Sequence, residues 1–354
     1  MTKKKVLIVG AGLSGVSVSI QLIRKGADVT LIDNGVNFSS IIAAGMINPL
    51  VFRRMTKSWR VDDFIPYLKS FYAELETETN STFFHEIPVR RLFSSEQERD
   101  FWLKKQERED FFDFMYKVTP EDMAFDQAKN PFGSGRVKET YYVDVYSFFA
   151  GLKPWVKSHG TILEEEFEAK HLNGTIYRDV TYDDVVFCEG YLLKHNPWFG
   201  DLPLDQTKGQ TLVVQAPKLP EDVSLNRKCF MLPKGNHQFK IGSTYEWNDP
   251  TTHVTEEGKN EILNNLSHIT DEEITVVDQE AGIRPTTRDR RPLLGTHPTI
   301  KNYHLFNGLG AKGYMLAPLI AKEFVEYLVD GAELDKEVDI KRYYDRDLDS
   351  SKFN

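Results

Sequence analysis

Residues Val6-Leu7-Ile8-Val9 run without a break into Gly10-Ala11-Gly12-Leu13-Ser14-Gly15, and nothing else in this chain constrains its fold as tightly. An unbroken apolar, β-branched run is the pattern of a strand buried on both faces of a parallel sheet. Val16, Ile20 and Ile23 then recur at helical spacing, Arg24 and Lys25 sit near the helix end, and Gly26 stops it. Asp28 to Asp33 reads as the second parallel strand. Each glycine has a physical role in this strand–turn–helix–strand unit. Gly10 permits the tight turn, Gly12 lets a pyrophosphate reach the backbone, and Gly15 lets helix and strand pack closely. The helix amides and dipole, at Leu13 and Ser14, then stabilise phosphate charge. Asp33, with Asn34 after it, ends the second strand where a ribose diol is held; a carboxylate there repels a 2′-phosphate, which argues against NADP. The unit predicts dinucleotide binding without separating FAD from NAD.

The chain has 354 residues, enough for two domains or one large composite one, and 40% of them are apolar. Its 44 Lys and Arg against 53 Asp and Glu give a net charge of −9. That balance offers no general attraction to phosphate backbones or anionic lipid, so nucleic acid is not expected as a partner. Cys188 and Cys229 cannot build a disulfide framework, and no Cys/His cluster suggests zinc, so no metal is expected. No apolar run reaches the ~20 residues that span a bilayer. Met1-Thr2-Lys3-Lys4-Lys5 before an apolar stretch mimics a secretory leader. Three glycines at fixed spacing and a second strand follow, which a cleaved leader would not need. The expectation is a reduced, cytoplasmic protein.

Downstream, the segment from Ser39 to Pro49, with Ala43-Ala44-Gly45-Met46 at its centre, is free of charge and rich in small residues. Surface loops are seldom so poor in charge, and the segment reads as backbone able to lie against a flat ligand. Helices are predicted around Phe64 to Leu75 and Glu96 to Phe112, with a strand from Ile87 to Phe93 between them. Asp183 to Gly190 reads as a buried strand that returns the chain to the first sheet. A β-rich block follows, with strands at Thr211 to Gln215, Cys229 to Leu232, Phe239 to Thr244 and Ile274 to Val277, and a helix from Glu256 to Leu266. Arg284, Arg288, Arg290 and Arg291 then crowd the Gly- and Pro-containing segment Ala281 to Gly295. Tyr303 to Phe306 predicts a strand opening into Asn307-Gly308-Leu309-Gly310-Ala311-Lys312-Gly313 and a helix ending at Gly331. This is a second glycine turn aimed at a helix N-terminus. The tail after Leu334 reads as peripheral. The expected fold class is α/β (α+β overall): a Rossmann-like domain with a mostly parallel sheet and an inserted antiparallel β-rich substrate domain. Residues 1–80, 141–204 and 282–354 are assigned to the first, and residues 81–140 and 205–281 to the second.

The N-terminal GxGxxG, Ala44-Gly45, Lys208-Gly209-Gln210, Gly242-Ser243-Thr244, Gly282-Ile283-Arg284-Pro285 with Asp289 and Pro292 to Gly295, and the Gly308 to Pro318 turn occur in a specific order. Together they resemble the D-amino-acid oxidase superfamily of FAD-dependent oxidoreductases, which includes glycine oxidase and sarcosine oxidase. Thr287-Arg288-Asp289-Arg290 and Gly308-Leu309-Gly310 look closest to the oxidase domain of the bifunctional enzyme that modifies the tRNA wobble uridine. The resemblance implies FAD, with Gly10, Gly12, Leu13, Ser14, Gly15, Asp33, Asn34, Ala44, Gly45, Met46 and Gly190 as binding residues. It adds Gly308, Leu309, Gly310, Ala311, Lys312 and Gly313, whose amides and Lys312 cation would face negative charge at flavin N1 and the C2 oxygen.

The resemblance further implies oxidation of the C–N bond of a small amine or amino acid by hydride transfer to flavin N5, giving an imine that hydrolyses. Arg284 matches the position that binds the substrate carboxylate, for which a planar fork is the right shape. Tyr245 matches a substrate-facing position, so Arg284, Tyr245 and Lys312 are the candidate catalytic residues. Ala311 stands where some members carry a second arginine. A flavin-attaching cysteine near Gly282 to Pro285 is absent, so non-covalent FAD is expected. No histidine is assigned as a base, because a neutral amine can pass its hydride directly. Two alternatives stay open: the same chemistry on a carboxymethylamino group of modified tRNA uridine, and an NAD-dependent dehydrogenase. The first would need a basic patch such as Lys3 to Lys5 or Arg53, Arg54, Lys57 and Arg60. The electron acceptor, O2 or another, and the oligomeric state are left open.

Overall fold

The computed structural model describes residues 3–36 and 39–344. Six strands build the first sheet, in the spatial order Thr161–Glu164, Asp28–Asp33, Lys5–Val9, Asp184–Phe187, Tyr303–Asn307 and Leu293–Thr296. Every neighbouring pair is parallel except the last, which is antiparallel. Val6 and Ile8 belong to one apolar cluster and Leu7 and Val9 to another, so the first strand is buried on both faces. The helices Leu13–Arg24, Val61–Thr79 and Gly313–Asp330 pack on one face through residues such as Val18, Phe64 and Phe324. Such double covering is what an all-apolar parallel strand requires.

The second sheet has seven strands, ordered Thr275–Thr287, Leu204–Gln215, Gln238–Gly242, Cys229–Gly235, Ser224–Arg227, Val89–Leu92 and Ser134–Val137. All pairs are antiparallel except Ser224–Arg227 with Val89–Leu92. Helix Glu256–Leu266 covers this sheet with Ile262 and Leu266. The architecture is thus mixed α/β, a parallel sheet joined to antiparallel ones, as the sequence predicts. Among the described residues no helix is long and apolar enough to cross a membrane.

The strand predicted at Ile274 to Val277 is longer than expected: Thr275–Thr287 runs on across residue 282, with Arg284 opposite Thr207. Pro285 is tolerated because this strand is the sheet edge, where a missing N–H leaves no ladder bond broken. One local expectation is corrected: the tail after Leu334 is not peripheral over residues 335–344, and residues 345–354 lie outside the described residues. Val338 and Ile340 are fully buried, and Leu294 exchanges backbone bonds with Val338 and Ile340.

Candidate active site

The carboxyl ends of the parallel strands open onto a cavity of about 710 Å³. Gly10, Gly12, Leu13 and Ser14 line it where the first helix begins. Gly10 has φ +96°, and a Cβ there would stand 2.8 Å from the Cys188 carbonyl oxygen. Gly15 does not reach the wall; its Cβ would fall 1.8 Å from the Gly10 carbonyl, so it closes the turn against the helix. Gly12 has φ −69° and ψ −175°, a conformation open to any residue. Its missing side chain therefore matters for what approaches from the cavity. The Leu13 amide donates to Ser40 Oγ at 2.9 Å. Among the described residues no acceptor takes the amides of Ser14 and Gly15, and the first turn carries no acid. Such a helix start is suited to a phosphate.

Asp33 and Asn34 line the cavity beside this turn. The Asp33 carboxylate accepts the Ala11 amide at 2.6 Å and the Gly35 amide at 2.7 Å, which fixes it and leaves lone pairs for a diol. Ala44, Gly45 and Met46 also line the cavity. Their loop is tied down where it starts: Ser39 hydroxyl bonds the Ile283 carbonyl, and Tyr314 hydroxyl donates to Ser40 O at 2.8 Å. Gly45 has φ +67°, and a Cβ there would lie 2.0 Å from Val143 O.

Leu309, Gly310, Ala311 and Gly313 form a further wall, at the start of the helix Gly313–Asp330. Gly190 faces the cavity too, and its carbonyl accepts from Asn307 Nδ2 at 3.0 Å. Gly308 sits behind the wall, where a Cβ would lie 3.2 Å from Thr287 and the Leu293 backbone. Two glycine turns at helix starts, with a small-residue loop between them, match an extended dinucleotide with a flat ring at one end. The residues present fit FAD.

Arg284, Ser243, Tyr245, Thr211 and Phe230 form the end of the cavity that the second sheet supplies. Arg284 Nη2 donates to Ser243 Oγ at 2.6 Å, and Nη1 donates to the carbonyls of Thr244 and Lys208 at 3.3 and 3.4 Å. Its guanidinium lies 4.4 Å from the Tyr245 ring centroid, and Tyr245 remains 58% exposed. Gly209 makes the room: a Cβ there would fall 2.1 Å from Arg284 Nη2. Burial draws the guanidinium pKa down, while Tyr245 and Glu246 pull the other way. Among the described residues no carboxylate pairs with Arg284. The neighbouring buried cation, Lys208, is by contrast paired with Asp249 at 2.5 Å and Glu246 at 3.9 Å. Arg284 is the cation left for a ligand.

Lys312 is a correction. Its ammonium does not line the cavity but turns away, donating to Asn48 O at 3.0 Å and to Ser58 Oγ. Burial among neutral acceptors pushes it down to about 8. It ties the glycine turn to the chain beyond Met46, while Leu309, Gly310, Ala311 and Gly313 line the cavity. Sequence reasoning also missed Ser243 and Glu189. Ser243 stood inside a quoted motif, and the guanidinium it contacts lies 41 positions away. Glu189 sits at a strand end, where an acid usually reads as solvent-exposed. Among the described residues no group of His, Cys, Asp and Glu could hold a metal ion.

The family described as DAO, FAD dependent oxidoreductase, matches residues 5–327. The bifunctional protein ThiO/ThiG of Trichormus variabilis is 23% identical over 92% of this chain and 53% of its own length. This chain thus spans about half the length of such relatives. Glycine oxidase of Pseudomonas putida is 25% identical over 93% of this chain and 95% of its own. The crystal structure of glycine oxidase from Geobacillus kaustophilus matches with a TM-score of 0.78 at 20% identity, covering 94% of this chain and 96% of that one.

Proposed function

This chain belongs to the family of FAD-dependent oxidoreductases, and from that premise we propose that it oxidises the carbon–nitrogen bond of a small amine carrying a carboxylate. The observation that carries the reading is Arg284, a half-buried guanidinium in the cavity wall with no protein carboxylate beside it. A charge in such a place, held by neutral acceptors alone, gains further when a counter-ion arrives, and a carboxylate fits its planar fork. Bound FAD supplies a two-electron acceptor for the hydride on the carbon next to nitrogen, leaving an imine for water to hydrolyse.

The chain's own residues divide the remaining work. Gly10 to Ser14 and Asp33 would hold the adenosine diphosphate half, and Ala44 to Met46 with Leu309 to Gly313 the ring system. The helix start at Gly313, on the cavity wall, would offer its dipole and the amides of the turn to negative charge on that ring. Cys188 lines the cavity, but burial holds its thiol well above the usual range, so it stays protonated and unreactive. That supports non-covalent FAD. Because Ser243 Oγ accepts from Arg284, its hydroxyl proton points elsewhere and is available to the same carboxylate. Ser243 thereby supplies the second contact that Ala311 cannot. Two of the four cations of the patch at Arg53, Arg54, Lys57 and Arg60 are already committed to acids, which weakens it as a nucleic-acid surface. There Lys57 pairs with Asp62 at 2.5 Å, and Arg60 pairs with Glu323 at 2.5 Å and Asp63 at 3.0 Å.

Ser243→Ala tests this grip. A hydrogen bond to a charged group contributes about 1.5–3 kcal/mol, so KM for a carboxylated amine should rise about 10-fold or more with kcat little changed. Steady-state rates on that amine and on its analogue lacking the carboxylate provide the check. Equal changes on both would refute a role in holding the acid.

A further inference from the structure

Glu189 follows the strand Asp184–Phe187 and Cys188, and it lines the same cavity as the Gly10 to Ser14 turn. A Cβ on Gly10 would stand 3.4 Å from Glu189 Cα, so this acid lies beside the turn shaped for a pyrophosphate. Among the described residues its one hydrogen-bond donor is Asn196, whose Nδ2 reaches Oε2 at 2.6 Å. Asn196 is itself fixed, since its Oδ1 accepts the amides of Trp198 and Phe199 at 2.9 Å each. No lysine or arginine of the described residues pairs with Glu189, and its Oε1 takes no protein donor. The other titratable groups that share this cavity are Asp33 at the second strand, Glu166 and His195, Cys188 and Tyr191 on Glu189's own segment, and Arg284, Tyr245 and Tyr314. Burial pushes the Glu189 carboxyl up to about 7, with Asn196 pulling the other way.

An acid in this position conflicts with the ligand the cavity is built for. A second anion brought alongside, with water excluded, raises the cost of the carboxylate form further. The neutral acid has no such conflict and carries an O–H that can be donated. We propose that Glu189 is a cofactor-binding residue that enters the FAD complex protonated, donating its O–H to an anionic oxygen of the pyrophosphate. The proton comes from solvent, so each FAD bound takes one up whenever Glu189 is ionised in the free protein.

The sign follows from linkage. Below the free-protein pKa of Glu189 the proton is already in place, and affinity does not depend on pH through this group. Above it, binding must draw a proton from solvent, and affinity falls by up to about 10-fold per pH unit. The full-length apoprotein, titrated with FAD from about pH 6 to about pH 9 by quenching of flavin fluorescence, should show this loss. Calorimetry at about pH 8 in two buffers of different ionisation enthalpy should count close to one proton taken up. Glu189→Gln keeps the hydrogen-bonding shape without the titration, so it should bind FAD with a flat pH profile and no proton uptake. A wild-type Kd that does not change with pH, or a zero proton count, overturns the proposal without any variant. So does a pH dependence that survives in Glu189→Gln or vanishes in His195→Gln.

Discussion

Arg284→Ala should lose on the order of 100-fold or more in kcat/KM on amines that carry a carboxylate, while FAD stays bound. The carboxylate must be desolvated as the amine enters the cavity, and an unpaired buried charge costs several kcal/mol. Nothing nearby can substitute. Lys208 is committed to Asp249, Lys312 points to Asn48 and Ser58, and position 311 is alanine. Arg284→Lys keeps the charge but loses the fork, and the expected loss is about 10-fold. Gly209→Ala should act in the same direction, since its new Cβ would fall 2.1 Å from Arg284 Nη2 and displace the guanidinium. An amine without a carboxylate is the control and should change little. Comparable losses on both substrate types would make Arg284 a support for the fold or the flavin, and the substrate would then be a plain amine.

Gly12→Val should purify without flavin. Gly12 caps the first helix on the cavity wall in a backbone conformation that valine also adopts, so its backbone torsions do not oppose the substitution. The new side chain instead fills the approach of a pyrophosphate to the helix start. Folding should be retained and the visible flavin spectrum lost, a combination that far-UV circular dichroism and absorbance would record on one sample. A folded Gly12→Val protein with stoichiometric flavin would remove the Gly10 to Ser14 turn from the binding site.

The parts that were legible in the sequence are those whose chemistry is local. Gly10 to Asp33 encodes strand, turn, helix and strand within one short stretch, and no distant residue changes that reading. The uncharged loop before Pro49 could be read as more than surface because such loops are seldom so poor in charge, and it lines the cavity. The paired strands Leu204–Gln215 and Thr275–Thr287 were harder, since buried polar residues such as Thr207, Lys208 and Gln210 break the alternation that marks a strand. Their partners, among them Asp249, Thr244 and Glu246, come from other parts of the chain. Lys312 misled for a related reason. Its position in the glycine turn was correct, but the direction of a long side chain is set by what surrounds it, here Asn48 and Ser58. Val338 and Ile340 lie in a charged tail, and only the fold reveals the apolar surface that receives them.

The most direct test of the whole account is anaerobic mixing of the purified flavoprotein with matched pairs of amines. Each pair consists of an α-amino acid, or an N-substituted glycine, and the same amine without its carboxylate. The visible flavin band should bleach rapidly with at least one carboxylated member and far more slowly with its partner. Bleaching at equal rates within every pair, or bound flavin that no carboxylated amine reduces, would contradict the assignment of Arg284 to a substrate carboxylate.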